Sequence, residues 1–183
     1  MSPAKIVFLG RLTPLKGGDH LIQAVAMASK RLAGKIQVII CGDGQPRAEY
    51  EAMARSLGVD VVFEGWVSPE RREQILNAAT LLGLPSLWPE PFGLVGLEAA
   101  VYSVPAVAYD VGGISEWLHD GVNGWLAPGD PPRVEGLAEA IEKALSDSAR
   151  LQEAGRQALA MAKSMSLARH LDQLETILKG AAR

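Results

Sequence analysis

The sequence predicts an α/β fold built on a doubly wound, six-stranded parallel, Rossmann-like sheet, with additional carboxyl-terminal helices. Two observations carry that prediction. Short apolar runs alternate with longer helix-like segments from Lys5 to Asp147, the pattern of repeated strand–helix units. A chain of 183 residues, 48% of them hydrophobic, also suffices for one domain that buries roughly 70% of its unfolded surface without a disulfide or metal.

The elements follow in order. Residues 5–10 (KIVFLG) read as the first strand, and residues 17–32 as a helix with Leu21, Val25, Ala28 and Leu32 on one face. Residues 36–42 (IQVIICG) give the second strand, and residues 47–57 a helix that Gly58 ends. Residues 59–65 form the third strand, and residues 69–79 a helix with Pro69 in its first turn. The fourth strand spans residues 81–85, the fifth residues 104–109, and the short sixth residues 124–127. Between the fourth and fifth lies a nearly continuous apolar helix, residues 94–102. After Pro131-Pro132 the pattern is helical almost to the end, with a break near residues 164–166. The chain therefore reads as one domain over residues 1–183, with sheet and helices in 5–147 and a helical tail in 148–183. Right-handed crossovers in two halves give the strand order 3-2-1-4-5-6.

Composition narrows the function. With 21 acidic and 18 basic residues, a net charge of −3 offers little counterion-release energy for nucleic acid. The opening residues lack the charged-then-apolar order of a signal peptide, and no apolar run approaches the roughly 20 residues of a membrane span. Cys41 is the lone cysteine and reads as a small buried hydrophobe. A soluble protein in a reducing, cytoplasmic setting is the expectation. His20, His119 and His170 are scattered, read as surface or capping residues, and no D-x-D pair occurs, so no metal site is expected. The layout of charge is more telling than its sum. No Lys or Arg occurs from Gln74 to Pro132, whereas Glu90, Glu98, Asp110, Glu116, Asp120 and Asp130 do.

In the predicted order the first and fourth strands are neighbours. Ligands of open α/β sheets bind beyond the carboxyl ends of the strands at such a switch point. Two loops meet there: residues 10–18 (GRLTPLKGG), with Arg11 and Lys16, and residues 86–93 (SLWPEPFG), which open the apolar helix. Pro85, Pro89 and Pro91 stiffen the second loop, and Gly93 lets backbone approach a ligand closely. The first helical amides, around Phe92 to Val95, carry positive dipole character suited to a phosphate. One turn on, Glu98 stands alone on a helix read as buried, where a carboxylate needs donors. The hydroxyls of a ribose would supply them; backbone amides or a neighbouring hydroxyl are the alternative.

Residues 90–98 (EPFGLVGLE) form an E-x7-E pattern after a strand ending in Pro85-Ser86. With Gly10-Arg11-Leu12 and Lys16-Gly17, with CGDGQ at 41–45, FEGWV at 63–67 and VGGISEWLHDGVNGWLAPGD at 111–130, the pattern resembles the carboxyl-terminal domain of retaining, family 4 type glycosyltransferases of the GT-B fold. The likeness covers about residues 5–145, with all blocks in order and at matching spacing.

The resemblance implies a role for each position. Glu98 would hold the ribose hydroxyls and Glu90 would lie at the transferred sugar. Phe92, Gly93, Leu94 and Val95 would offer amides to the sugar and distal phosphate, while Arg11 and Lys16 neutralise the diphosphate. Backbone around Trp66 and Val67 would meet the base, with Trp66 either stacking on it or covering a core edge. Gly42 and Gly44 would keep the second strand's exit clear of the nucleotide, and Gly112-Gly113 reads as chiefly structural. Local readings stand beside these: Glu90 capping amides of its own loop, and Arg11 with Lys16 as a solvated cation pair. The donor would be a UDP- or GDP-linked sugar, bound without cofactor or metal. The acceptor would be held by an amino-terminal domain expected to be absent from this sequence, since the first strand begins at its start. Ser166-Leu167 stands where the family usually has an aromatic. The alternatives are a sugar-nucleotide epimerase-type domain and a nucleotide-binding module without transferase activity. A dinucleotide domain is disfavoured because GRLTPLKGG does not supply G-x-G-x-x-G.

Overall fold

The computed structural model of the protein describes residues 3–165 and 167–181. Six strands, β1 (Ala4–Leu9), β2 (Ile36–Cys41), β3 (Asp60–Gly65), β4 (Leu81–Leu84), β5 (Ala106–Tyr109) and β6 (Gly124–Ala127), form one sheet in the order β3-β2-β1-β4-β5-β6. Every pairing is parallel, so fold class and strand order agree with the sequence reading. The helices are α1 (Gly18–Ala28), α2 (Arg47–Leu57), α3 (Pro69–Asn77), α4 (Leu94–Ala100), α5 (Val134–Ser146), α6 (Ser148–Ser164) and α7 (Leu167–Ala181).

The apolar runs became strands because a parallel sheet is covered on both faces and tolerates no polar alternation. Ile6, Val7, Phe8 and Leu9 of β1 are all buried, as are Leu81, Leu82 and Leu84 of β4. On the sheet edge β3 is more exposed, with Val62 at the surface. Helix α1 packs on α2 and α5, while α4 packs on α6.

Several boundaries differ from expectation: the helix of residues 69–79 ends at Asn77, that of residues 94–102 at Ala100, and the strand of residues 104–109 begins at Ala106; two further differences have a visible cause. Helix α1 stops at Ala28 because the chain tightens into three-residue turns, with Lys30 N donating to Met27 O and Arg31 N to Ala28 O. Leu32 therefore leaves the helix but still packs, half-buried, against the core. The long helical run after Pro132 is also interrupted at Asp147, whose carboxylate accepts from Ala149 N and Arg150 N at 2.9 and 3.1 Å and starts α6. Helix α6 buries Ala154, Gly155 and Ala158. A Cβ on Gly155 would sit 2.4 Å from Ser103 O, so this part of the tail lies close on the body of the fold. The predicted break falls between α6 and α7, and Ser166 lies outside the described residues. Helix α7 presents Leu171, Leu174, Ile177 and Leu178 to solvent. Among the described residues no helix is long and apolar enough to cross a membrane.

Candidate functional site

The loops after β1 and β4 meet at the predicted switch point and enclose a cleft of about 360 Å³. One wall is Phe8, Leu9, Gly10 and Lys16; the other is Leu84, Ser86 and the run Glu90 to Val95. The two loops are locked together by backbone. Leu87 N donates to Leu15 O at 2.8 Å, and Gly17, at φ +65, passes so close that a Cβ would lie 2.0 Å from Pro85 O. A side chain at Gly17 would force the walls apart.

Glu90 is the polar centre of this cleft. Only 9% of it is exposed. Lys16 Nζ donates to both carboxylate oxygens, at 2.9 and 2.7 Å, and Ser86 Oγ donates to Oε2 at 2.8 Å. Burial pushes the Glu90 carboxyl up, but the bonds from Lys16 and Ser86, with the charge of Lys16 and a contact from Trp88, outweigh it and hold the group below its ordinary value. The local-capping alternative is replaced by a partner 74 residues away. From behind, Gly113 N donates to Glu90 O at 2.7 Å. Gly112, at φ +60, lies where a Cβ would fall 2.3 Å from that same oxygen. The glycine pair is therefore the seat of the Glu90 backbone.

The start of α4 is equally constrained. Gly93 enters it at φ +78, a left-handed conformation suited to glycine. Trp117 Nε1 donates to Phe92 O at 2.6 Å, and a Cβ on Gly96 would meet the Trp117 ring at 2.1 Å. The Trp117 ring is thus the floor of the turn. The first amides of α4, at Leu94 and Val95, have no acceptor within the helix and belong to residues that line the cleft.

The two cations are not equivalent. Lys16 is committed to Glu90, leaving one of its three donor hydrogens for a ligand. Arg11 is exposed at the β1 exit, and among the described residues it has no hydrogen bond or ion pair. Gly42 and Gly44 have a structural job: their Cβ atoms would lie 1.9 Å from Gly10 O and from Leu12 O respectively. Leu12 N in turn donates to Asp43 O at 2.9 Å. These glycines let the β2 exit nest against the loop that carries Arg11. Trp66 is 71% exposed, so it covers no core edge. Val67 beside it is half-buried against the core. Neither residue lines the cleft; both stand on its β3 side.

The premise of a buried Glu98 is corrected. Helix α4 buries Gly96, Ala99 and Ala100, whereas Leu94 and Val101 are 66% and 59% exposed. Small residues face inward because the helix lies close to its neighbours, so high apolarity did not mean burial on every side. The Glu98 side chain is 41% exposed and bonded by Arg72 of α3, Nη1 to Oε2 at 2.9 Å. It lies one turn beyond the cleft-lining Leu94 on the same stripe and does not itself line the cleft. Arg72, Ser86 and Trp117 were not singled out from sequence. Only Ser86, four residues before Glu90, left a local signal. His20 is also more than a surface residue: its Nδ1 lies 2.8 Å from the hydroxyl of buried Tyr109, edge-to-face with that ring. The Cys41 thiol is pushed up to about 11 by burial and by nearby Glu64, consistent with a small buried hydrophobe.

The glycosyl transferases group 1 family model matches residues 1–161. A D-inositol 3-phosphate glycosyltransferase of Nocardia farcinica is 37% identical over 172 residues, which cover 89% of this chain and 37% of that protein. An uncharacterised glycosyltransferase of Methanocaldococcus jannaschii is 37% identical over 145 residues, 78% of this chain and 36% of that protein. Among solved structures, Anabaena HepE in complex with UDP and glucose superposes with a TM-score of 0.84 at 27% identity, over 97% of this chain and 48% of HepE. The chain thus spans less than half the length of each of these proteins. With a family model that matches residues 1–161 and a sheet that superposes on a solved relative over 97% of the chain, the chain belongs to the group 1 glycosyl transferases and has the fold of the carboxyl-terminal domain of GT-B enzymes.

Proposed function

We propose that this chain is the donor-binding half of a retaining, family 4 type glycosyltransferase. It would hold a UDP- or GDP-linked sugar in the cytoplasm for transfer to an acceptor carried by an amino-terminal domain. The single observation that carries the reading is the cleft at the β1 and β4 exits, where the Lys16–Glu90–Ser86 cluster meets the first turn of α4 in a chain of this family. The exposed apolar side chains of α7 support a helix that returns to the other half.

In this reading the diphosphate lies between Arg11 and the amides of Leu94 and Val95. Leaving-group charge grows on the distal phosphate as the anomeric bond breaks, and these preorganised donors stabilise it there. The third Lys16 hydrogen reaches the same oxygens, so no metal is required. Glu90, ionised and fixed by Lys16 and Ser86, is placed beside the sugar. Glu98 accepts from the ribose, and Trp66 with the Val67 backbone stands at the base.

Calorimetric titration of the full chain with UDP, GDP and their sugar conjugates tests this. Glu98→Gln is expected to weaken the tighter nucleotide by roughly 1 to 3 kcal/mol. Arg11→Ala should weaken the diphosphates far more than the matching nucleoside. Equal losses for diphosphate and nucleoside, or absence of binding by the wild-type chain, would overturn the reading. Interconversion of a sugar nucleotide by this chain, with no transfer when an amino-terminal domain is supplied, would favour the epimerase alternative.

A further inference from the structure

Glu98 has a partner that comes from outside its own helix. The stretch from Gln74 to Pro132 contains no cation, and Arg72 is the last one before it. Arg72 sits in the first turn of α3, fixed there by the Ser68 cap: Ser68 Oγ accepts from Arg71 N at 3.2 Å, and Ser68 O from Arg72 N at 2.9 Å. Its neighbour Arg71 is bonded to Glu64, which leaves Arg72 free for α4. The two side chains of the Arg72–Glu98 pair are 44% and 41% exposed, so the contact adds little to folding stability. What it does is join Arg72 of the first α3 turn, six residues beyond Trp66, to the helix whose first turn lines the cleft.

We infer that Arg72 is a positioning residue for ribose recognition: it holds Oε2 of Glu98 and leaves Oε1 for the sugar hydroxyls. Among the described residues no other group bonds Glu98. A free glutamate at a half-exposed site must give up rotamer freedom when a ligand arrives; a guanidinium already bonded to one oxygen removes that cost beforehand. Each carboxylate oxygen accepts more than one hydrogen bond, so Arg72 stays in place as the hydroxyls bind. The inference rests on the ribose role proposed for Glu98.

The test titrates the full chain and its Arg72→Gln, Arg72→Lys and Glu98→Gln variants with UDP and GDP and with their 2′,3′-dideoxy counterparts. Arg72→Gln is expected to raise the Kd of the tighter ribonucleotide about three- to tenfold, with its melting temperature unchanged. The dideoxy ligand should bind wild type and Arg72→Gln alike, and Arg72→Lys should recover part of the loss. Equal weakening of ribo- and dideoxynucleotides would overturn the inference by making Arg72 a general attractor of the diphosphate. If Glu98→Gln weakens the ribonucleotide and Arg72→Gln does not, the ribose reading stands and the positioning role falls. If neither variant changes affinity, both fall.

Discussion

Replacing Lys16 by methionine removes the cation that bonds Glu90 inside the cleft. In the wild type the Glu90 side chain is 11% exposed and that of Lys16 31%, so the carboxylate depends on this partner more than the lysine does. Charge-assisted bonds of this kind are worth about 1.5–3 kcal/mol. Screening on the lysine side reduces that to about 1–2 kcal/mol at pH 7, or about 2–8 °C in melting temperature for a chain of this size. The sign with pH follows from the direction of the shift. The Glu90 carboxyl is held below its ordinary value when folded, so its contribution is fully present above the unfolded carboxyl value of about 4.3. The contribution is lost as pH falls through the lower folded value. The gap between wild type and Lys16→Met should therefore be widest near neutrality and close in acid. Urea unfolding of the wild type, Lys16→Met, Glu90→Gln and the double variant across pH 3 to 8 reads the coupling directly. The reasoning fails if the two losses simply add, or if the gap does not depend on pH.

The packing of α4 and the chemistry of Cys41 allow two further tests. Gly96→Ala would place a methyl 2.1 Å from the Trp117 ring, which is itself tethered to Phe92 O; overpacking should cost about 1–3 kcal/mol or more in urea unfolding and weaken nucleotide binding with it, whereas unchanged binding would detach the floor from the cleft. Cys41, with its thiol pushed up to about 11, should resist iodoacetamide at pH 8 in the native chain and react on denaturation. Mass spectrometry after a timed quench checks this, and rapid native labelling would contradict the burial.

Much of the site was legible because its signals are local. The E-x7-E run, the prolines around it and the basic loop after β1 are contiguous in sequence. A parallel sheet buried on both faces writes itself as apolar runs separated by helix-length gaps. From these came the strand order, and the strand order alone placed loops 10–18 and 86–93 together. What the run of residues 94–102 did not reveal was its direction. It is apolar nearly all round, and which stripe turns inward was decided by how closely α4 could approach its neighbours, a choice that favoured Gly96, Ala99 and Ala100 over Leu94 and Val101.

The sequence by itself determined the fold class, the switch point and the residue types gathered there, because periodicity and turn chemistry act over a few neighbouring positions. The tertiary structure decided who partners whom. Lys16 meets Glu90 across 74 residues and Arg72 meets Glu98 across 26, leaving Arg11 as the cation of the expected pair that is exposed and without a partner among the described residues. Gly42, Gly44, Gly112 and Gly113 gained their purpose only where two backbones touch. Such contacts are fixed by the three-dimensional approach of distant segments, a quantity that no local pattern encodes.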